Sequence, residues 1–129
     1  MSYRILSLDG GGTWALIQVK ALIRLYSATT SGQTVLRDFD LVAANSGGSI
    51  VLGGLVEDIQ LQDLTGMGPK YSAETKLVAL QNVFPKRGTV SLADAVAGLA
   101  RPLHLLITAF DYDRNRATFF RSAAASGRM

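Results

Sequence analysis

The feature that most constrains the fold is an apolar run that leads straight through a serine–glycine turn into a second apolar run. Phe39 to Ala44 has the β-branched and aromatic content of a buried strand, and Ile50 to Val56 has the composition of a helix. A serine at a tight strand-to-helix turn is the layout of a nucleophile elbow, which lifts the hydroxyl off the sheet edge. The pattern Gly-x-Ser-x-Gly reads here Ala44-Asn45-Ser46-Gly47-Gly48. The alternative is a Ser/Gly loop with no chemistry.

A second glycine turn lies upstream and follows another apolar run. Tyr3 to Leu8 predicts a first strand, which ends at Asp9-Gly10-Gly11-Gly12. Ala15 to Tyr26 has helical spacing, Ser27 to Gln33 reads as a polar loop, and Leu36 to Ala44 reads as the second strand. This order predicts a βαβ unit with parallel strands and a right-handed crossover.

The rest of the chain continues the alternation of helices and strands. Leu61 to Pro69 reads as a loop, and Ser72 to about Val83 as a capped helix. A second capped helix starts at Ser91-Leu92-Ala93-Asp94 and runs through Leu99. Leu103 to Phe110 predicts a third strand, and Ala117 to Arg121 pairs back on it as a hairpin. The pattern predicts an α/β fold with a mostly parallel sheet.

Composition excludes several classes of protein. With 129 residues, 48% of them hydrophobic and 18% charged, the chain is at most one globular domain. It has no cysteine, so disulfides and thiolate metal sites are excluded. No leader and no apolar run of about 18 residues is present, which favours a cytoplasmic location. The formal net charge is +3, but the basic residues lack aromatic neighbours, so we expect no nucleic-acid partner.

The glycine turn is suited to an anion, because backbone amides without partners and a helix dipole both favour negative charge. Gly10-x-Gly12-x-x-Ala15 satisfies a dinucleotide-binding fingerprint, but the second strand ends in Asn45-Ser46 rather than in an acidic residue. A nucleotide phosphate in a sugar-kinase-like fold of the actin type would need a strand after Thr13. A third ligand is the oxyanion of an acyl-transfer reaction. Because the carboxyl ends of parallel strands meet at one sheet edge, this turn and the elbow are predicted to lie side by side.

At these two turns the chain resembles the patatin-like acyl hydrolases. The resemblance rests on Asp9-Gly10-Gly11-Gly12 and Phe39 to Gly48, with further similarity in Gly68 to Glu74 and Leu106 to Asp111. It implies a three-layer α/β/α sandwich and a serine–aspartate dyad that cleaves lipid acyl esters, with no metal and no cofactor. Carried over by residue, it implies the nucleophile Ser46, an oxyanion loop of Gly10, Gly11 and Gly12, and an elbow of Ala44, Asn45, Gly47 and Gly48.

The resemblance also implies where the missing parts of the site lie. The aspartate of the family stands in an Asp-Gly-Gly or Asp-Gly-Ala motif beyond the hairpin, and no such motif follows residue 111. We therefore expect residues 1–129 to be the N-terminal portion of one patatin-like domain, with the aspartate outside this chain. The implied partners are a lipid or acyl-ester substrate, peripheral contact with a membrane, and a second chain that supplies the missing part. A degenerate fold that binds lipid or protein without turnover, and a nucleotide-binding α/β domain, are the alternatives.

Four other residues have competing interpretations. His104, the only histidine, begins the third strand and is predicted to lie at the sheet edge opposite the elbow, so a structural role is favoured. Trp14 is expected to pack the first helix, with contact to an acyl chain as the alternative. Asp111 and Asp113 are expected to bond their own turn rather than a metal.

Overall fold

The computed structural model describes residues 2–66, 81–87 and 89–123. Four strands form one sheet in the order of the sequence: β1 (Ile5–Leu8), β2 (Leu41–Asn45), β3 (His104–Asp111) and β4 (Arg116–Arg121). The pairs β1–β2 and β2–β3 are parallel, and β3–β4 is an antiparallel hairpin. The predicted α/β class, the parallel βαβ unit and the hairpin are confirmed.

The helices of the described chain follow the glycine turns and fill the crossovers. A 3₁₀ turn at Gly12–Ala15 leads into α1 (Leu16–Leu25), and α2 (Gly32–Leu36) precedes β2. The elbow leads into α3 (Gly47–Val56), and two short helices follow, α4 (Leu61–Leu64) and α5 (Leu92–Ala97). The predicted cap of α5 is confirmed, because the Asp94 amide donates to Ser91 Oγ at 3.1 Å.

Two predicted segments are corrected by the structure. The second strand begins at Leu41 rather than Leu36, and residues 32–36 form α2 instead of loop and strand. A Cβ on Gly32 would overlap the backbone of Leu55 in α3, so close contact between two helices fixes this segment. The predicted loop from Leu61 contains α4, whose Leu61 and Leu64 are fully buried. In both segments tertiary burial overrides weak local propensity.

One core joins one face of the sheet to the helices. Leu8, Val42, Ala44 and Leu105 alternate along the strands and pack in a single cluster with residues of all five helices. The other face of the sheet carries apolar side chains that remain exposed in the described structure: Ile5 at 57%, Phe110 at 48% and Phe119 at 54%. Strands that step in one direction through right-handed crossovers place their helices on the same side, which explains the asymmetry.

The described residues therefore form two layers, helices on a sheet. The third layer of the expected α/β/α sandwich is not seen among them. The predicted helix from Ser72 to Val83 lies outside the described residues except for residues 81–83, which are helical, and Gly68 to Glu74 lie outside them entirely. Within the described ranges, no helix has the length and hydropathy needed to cross a membrane.

Candidate functional site

Ser46 occupies a strained turn between β2 and α3. Its backbone has φ 49° and ψ −121°, a conformation that an L-residue other than glycine rarely adopts. Such a conformation costs about 1–3 kcal/mol and tends to occur at functional sites. The strand ends at Asn45 and the helix begins at Gly47, so Ser46 alone makes the turn, and it is exposed. The predicted strand–turn–helix geometry of an elbow is confirmed.

The small residues after Ser46 are required by close packing. A Cβ on Gly48 would overlap the carbonyl of Leu8 at the end of β1. A Cβ on Gly47 would lie 2.7 Å from the carbonyl oxygen of Gly12. The first turn of α3 therefore packs directly against the end of β1 and against the glycine loop, Gly10 to Gly12. Ala44, where the pattern has glycine, is 3% exposed and places its Cβ in the core, so the extra methyl group is accommodated.

The glycine loop lies beside the elbow, as the sequence predicted. A Cβ on Gly10 would lie 3.1 Å from the Ser46 Cβ and 3.4 Å from the Asn45 carbonyl oxygen. Gly11 and Gly12 have φ values of 130° and 59°, which favour glycine. The amides of Gly10, Gly11 and Gly12 donate no hydrogen bond to another described residue. Three backbone donors with no acceptor among the described residues therefore lie near an exposed serine.

Gln18 holds the start of this loop, and sequence reasoning missed it. Its side-chain amide accepts from the Asp9 amide at 2.7 Å and donates to the Asp9 carbonyl oxygen at 2.9 Å. This pair of bonds ties α1 to the residue that precedes Gly10. The only signal in the sequence is a polar residue between the apolar positions of a helix, which is too common to single out.

The described structure brings no carboxylate into hydrogen-bond contact with Ser46. Among residues 2–66, 81–87 and 89–123, no side chain forms a hydrogen bond with Ser46 Oγ. Asp9, the nearest acidic residue along the glycine loop, accepts instead from Ser7 Oγ at 3.3 Å. The described part of the chain also contains no group of three His, Asp or Glu side chains placed to hold a metal ion.

The remaining candidates lie away from this edge or have structural roles. His104 pairs with Leu41 at the start of the parallel strands, so the predicted distance from the elbow is confirmed. Asp111 accepts from the amides of Asp113 and Arg114 at 3.1 and 3.2 Å, which confirms the turn interpretation. The packing prediction for Trp14 is wrong, because its side chain is 74% exposed on the 3₁₀ turn that follows the glycine loop.

The structure bears differently on the two nucleotide-binding interpretations of the glycine loop. The actin-type arrangement requires a strand after Thr13, and residues 12–25 are helical, so this arrangement is excluded. A dinucleotide-binding loop requires strand, turn and helix, which are present, but the second strand ends in Asn45 without the acidic residue that would hold a ribose. Comparisons of the chain with protein-family models, with curated proteins and with solved structures found no match.

Proposed function

We propose that this chain carries the nucleophile and the oxyanion loop of a serine-dependent hydrolase that acts on lipid acyl esters. The observation that carries the proposal is the strained backbone of Ser46 beside three glycines whose amides have no acceptor in the described structure. A hydrolase needs both features at one place: an exposed hydroxyl, and donors aimed at the oxygen that becomes negative.

The chemistry follows the geometry of the two turns. Ser46 Oγ forms a bond to the acyl carbon while its proton passes to a general base. The carbonyl oxygen takes the negative charge and is stabilised by amides of the Gly10–Gly12 loop, each worth roughly 3–4 kcal/mol by analogy with measured oxyanion holes. The carbon–oxygen bond of the ester then breaks, the alcohol leaves with a proton, and water releases the acid from Ser46. The resemblance assigns the base to an aspartate outside residues 1–129.

Two exposed apolar side chains support a lipid substrate. Trp14 is 74% and Ile17 is 57% exposed, and they stand three residues apart where the 3₁₀ turn joins α1. Residues at this spacing share one face of a helical segment, and this face adjoins the glycine loop. An exposed tryptophan is well suited to the interface of a membrane, where one end of the ring is apolar and the other is wet.

The proposal is tested by hydrolysis of p-nitrophenyl butyrate. We expect turnover only when the segment that carries the aspartate is present with this chain, and we expect Ser46→Ala to abolish it. Ser7→Ala, on the neighbouring strand β1, is the matched control and should retain turnover. If Ser46→Ala folds and keeps its activity, the nucleophile assignment is wrong.

A second candidate function is binding of lipid without turnover, for which the exposed side chains of Trp14 and Ile17 would suffice. It predicts that the chain binds phosphatidylcholine vesicles, that Trp14→Ala weakens this binding, and that p-nitrophenyl esters are never cleaved. Binding of a nucleotide that is lost in Gly12→Ala would favour the dinucleotide reading instead.

A further inference from the structure

Three consecutive glycines give the loop between β1 and the 3₁₀ turn little stiffness of its own. Glycine has more backbone freedom than any other residue, and a Cβ on Gly12 would meet no atom within 4 Å. The later half of the loop is held from within the turn, because the Trp14 amide donates to the Gly11 carbonyl oxygen at 3.1 Å. The direction of the Gly10 amide therefore depends on a contact from outside the loop.

Gln18 is the one described side chain that hydrogen-bonds to the backbone of residues 9–12. Its Oε1 accepts from the Asp9 amide at 2.7 Å, and its Nε2 donates to the Asp9 carbonyl oxygen at 2.9 Å. Both the donor and the acceptor of one side-chain amide thus bind the same residue, immediately before the glycines. This holds the end of β1 against α1.

The bond to the Asp9 carbonyl also fixes the direction of the Gly10 amide. The Asp9 carbonyl and the Gly10 N–H belong to one planar peptide unit, which is trans, so the two groups point in opposite directions. Because Gln18 holds the carbonyl toward α1, the Gly10 N–H points away from α1. Gly10 itself lies against the elbow, since a Cβ on it would lie 3.1 Å from the Ser46 Cβ.

We propose that Gln18 is a positioning residue for the oxyanion loop, and that it fixes the Gly10 amide in the direction of the oxygen that becomes negative. This inference rests on the proposed reaction at Ser46. A donor stabilises the developing charge best when its direction is set before the reaction starts. Gln18 acts only through the peptide unit of Asp9, so its loss should weaken stabilisation of the transition state and leave binding of the substrate unchanged.

The test measures kcat and KM for p-nitrophenyl butyrate, with this chain and the segment that carries the aspartate. Active serines are counted by fluorophosphonate labelling to completion, so that kcat refers to folded sites alone. Gln18→Leu removes both hydrogen bonds and should lower kcat about tenfold with KM unchanged, which is the signature of an interaction made in the transition state. Lys20→Leu, at an exposed position of the same helix, is the matched control and should keep the parent values.

Gln18→Glu tests the donor separately, because its charge changes with pH. At pH 8 the introduced carboxylate still accepts from the Asp9 amide but turns a second acceptor toward the Asp9 carbonyl oxygen, so kcat should fall as in Gln18→Leu. At pH 5 the introduced carboxyl begins to be protonated, since the ordinary pKa of a glutamate is about 4.3, and a protonated acid donates again. The ratio of kcat in this variant to kcat in the parent should therefore rise as the pH falls, whereas the ratio for Gln18→Leu should stay constant.

The possible results separate this inference from the proposed reaction. An unchanged kcat in Gln18→Leu, with Ser46→Ala inactive, would overturn the role of Gln18 and leave the reaction standing. A higher KM at unchanged kcat would overturn that role too, as would a ratio for Gln18→Glu that does not depend on pH. If Gln18→Leu fails to fold, the ratio for Gln18→Glu decides alone. A parent that cleaves no ester would overturn the reaction and this inference together.

Discussion

At the scale of single residues, two glycines of the proposed oxyanion loop differ in what a side chain would meet. A Cβ on Gly12 would have no atom within 4 Å, whereas one on Gly11 would lie 3.5 Å from the Trp14 Cβ. The role of Gly12 is therefore conformational rather than steric, because its φ of 59° lies in the left-handed region.

Gly12→Ala should lower turnover without unfolding the chain. An L-residue in the left-handed region costs about 1–2 kcal/mol, which a folded domain tolerates, but the strain shifts the amides of the loop. A loss of at least about tenfold in kcat is expected, since full removal of one oxyanion donor costs about 10²–10³. Ester hydrolysis and thermal melting are compared with Gly66→Ala, where a Cβ meets only the Asp63 carbonyl oxygen at 3.9 Å. Full activity in Gly12→Ala would remove the loop from the mechanism.

Tyr26 gives a prediction about pH. Burial, together with the 2.7 Å hydrogen bond to Asp38, raises the pKa of Tyr26 to about 12 from the usual 10.0. A raised pKa in the folded state contributes stability below pH 10, and that contribution is lost as the pH rises toward 12. Tyr26→Phe should therefore flatten the decline of stability over this range. The effect is at most about 1 kcal/mol, because solvent screens a partly exposed pair. Urea unfolding at pH 9 and pH 11 measures the free energy of unfolding of the parent and of Tyr26→Phe. An equal fall in this free energy between the two pH values in both proteins would contradict the prediction.

At the scale of elements, α2 is held by contact rather than by its own propensity. It is only five residues long, Gly-Gln-Thr-Val-Leu, and its first residue touches the backbone of Leu55 in α3. Two further bonds fix it: the Gln33 amide donates to Asp58 Oδ1 at 2.9 Å, and Gln33 Nε2 donates to the Val56 carbonyl oxygen at 3.1 Å. The docking of α2 determines where β2 can begin.

Gly32→Ala should destabilise the chain. The added Cβ would overlap the Leu55 backbone, and overpacking of this kind costs about 1–3 kcal/mol. Gly98→Ala is the matched control, since a Cβ there meets only the end of the Arg87 side chain at 3.7 Å. Chemical denaturation measures the difference between the two variants. Equal midpoints would show that α2 does not pack as closely as described.

At the scale of the whole molecule, the sheet has one covered face and one uncovered face. Parallel strands are normally buried on both faces. Here Ile5, Phe110 and Phe119 are about half exposed, and the uncovered face continues across all four strands through Leu41, Ala43 and Leu106. Such a surface tends to associate.

The 129-residue chain should therefore self-associate, and a charge on the uncovered face should reduce this. Phe119→Lys is compared with Tyr112→Lys, which puts the same charge in the β3–β4 turn, where Tyr112 is 87% exposed. Sedimentation velocity should show a shift toward monomer in Phe119→Lys alone. A parent chain that is monomeric at tens of micromolar would contradict the prediction.

The sequence by itself determined the features that depend on local pattern. Apolar runs located β1, β2 and β3, glycine turns marked the ends of the first two, and the alternation of strand and helix predicted their parallel pairing. The meeting of the glycine loop with Ser46 followed from topology, because parallel strands bring their carboxyl ends to one edge.

The tertiary structure decided what depends on contacts between distant segments. Residues 32–36 lack a strong helical pattern and become α2 because Gly32 fits against Leu55. Trp14 was expected to be buried, but the 3₁₀ turn directs it away from the core. The hydrogen bonds between Gln18 and Asp9 join residues 9 positions apart. The hydrogen bond from the Arg87 amide to the Glu57 carboxylate joins residues 30 positions apart. Hydrophobic periodicity indicates which face of an element is buried, but it carries no information on which distant segment packs against that face.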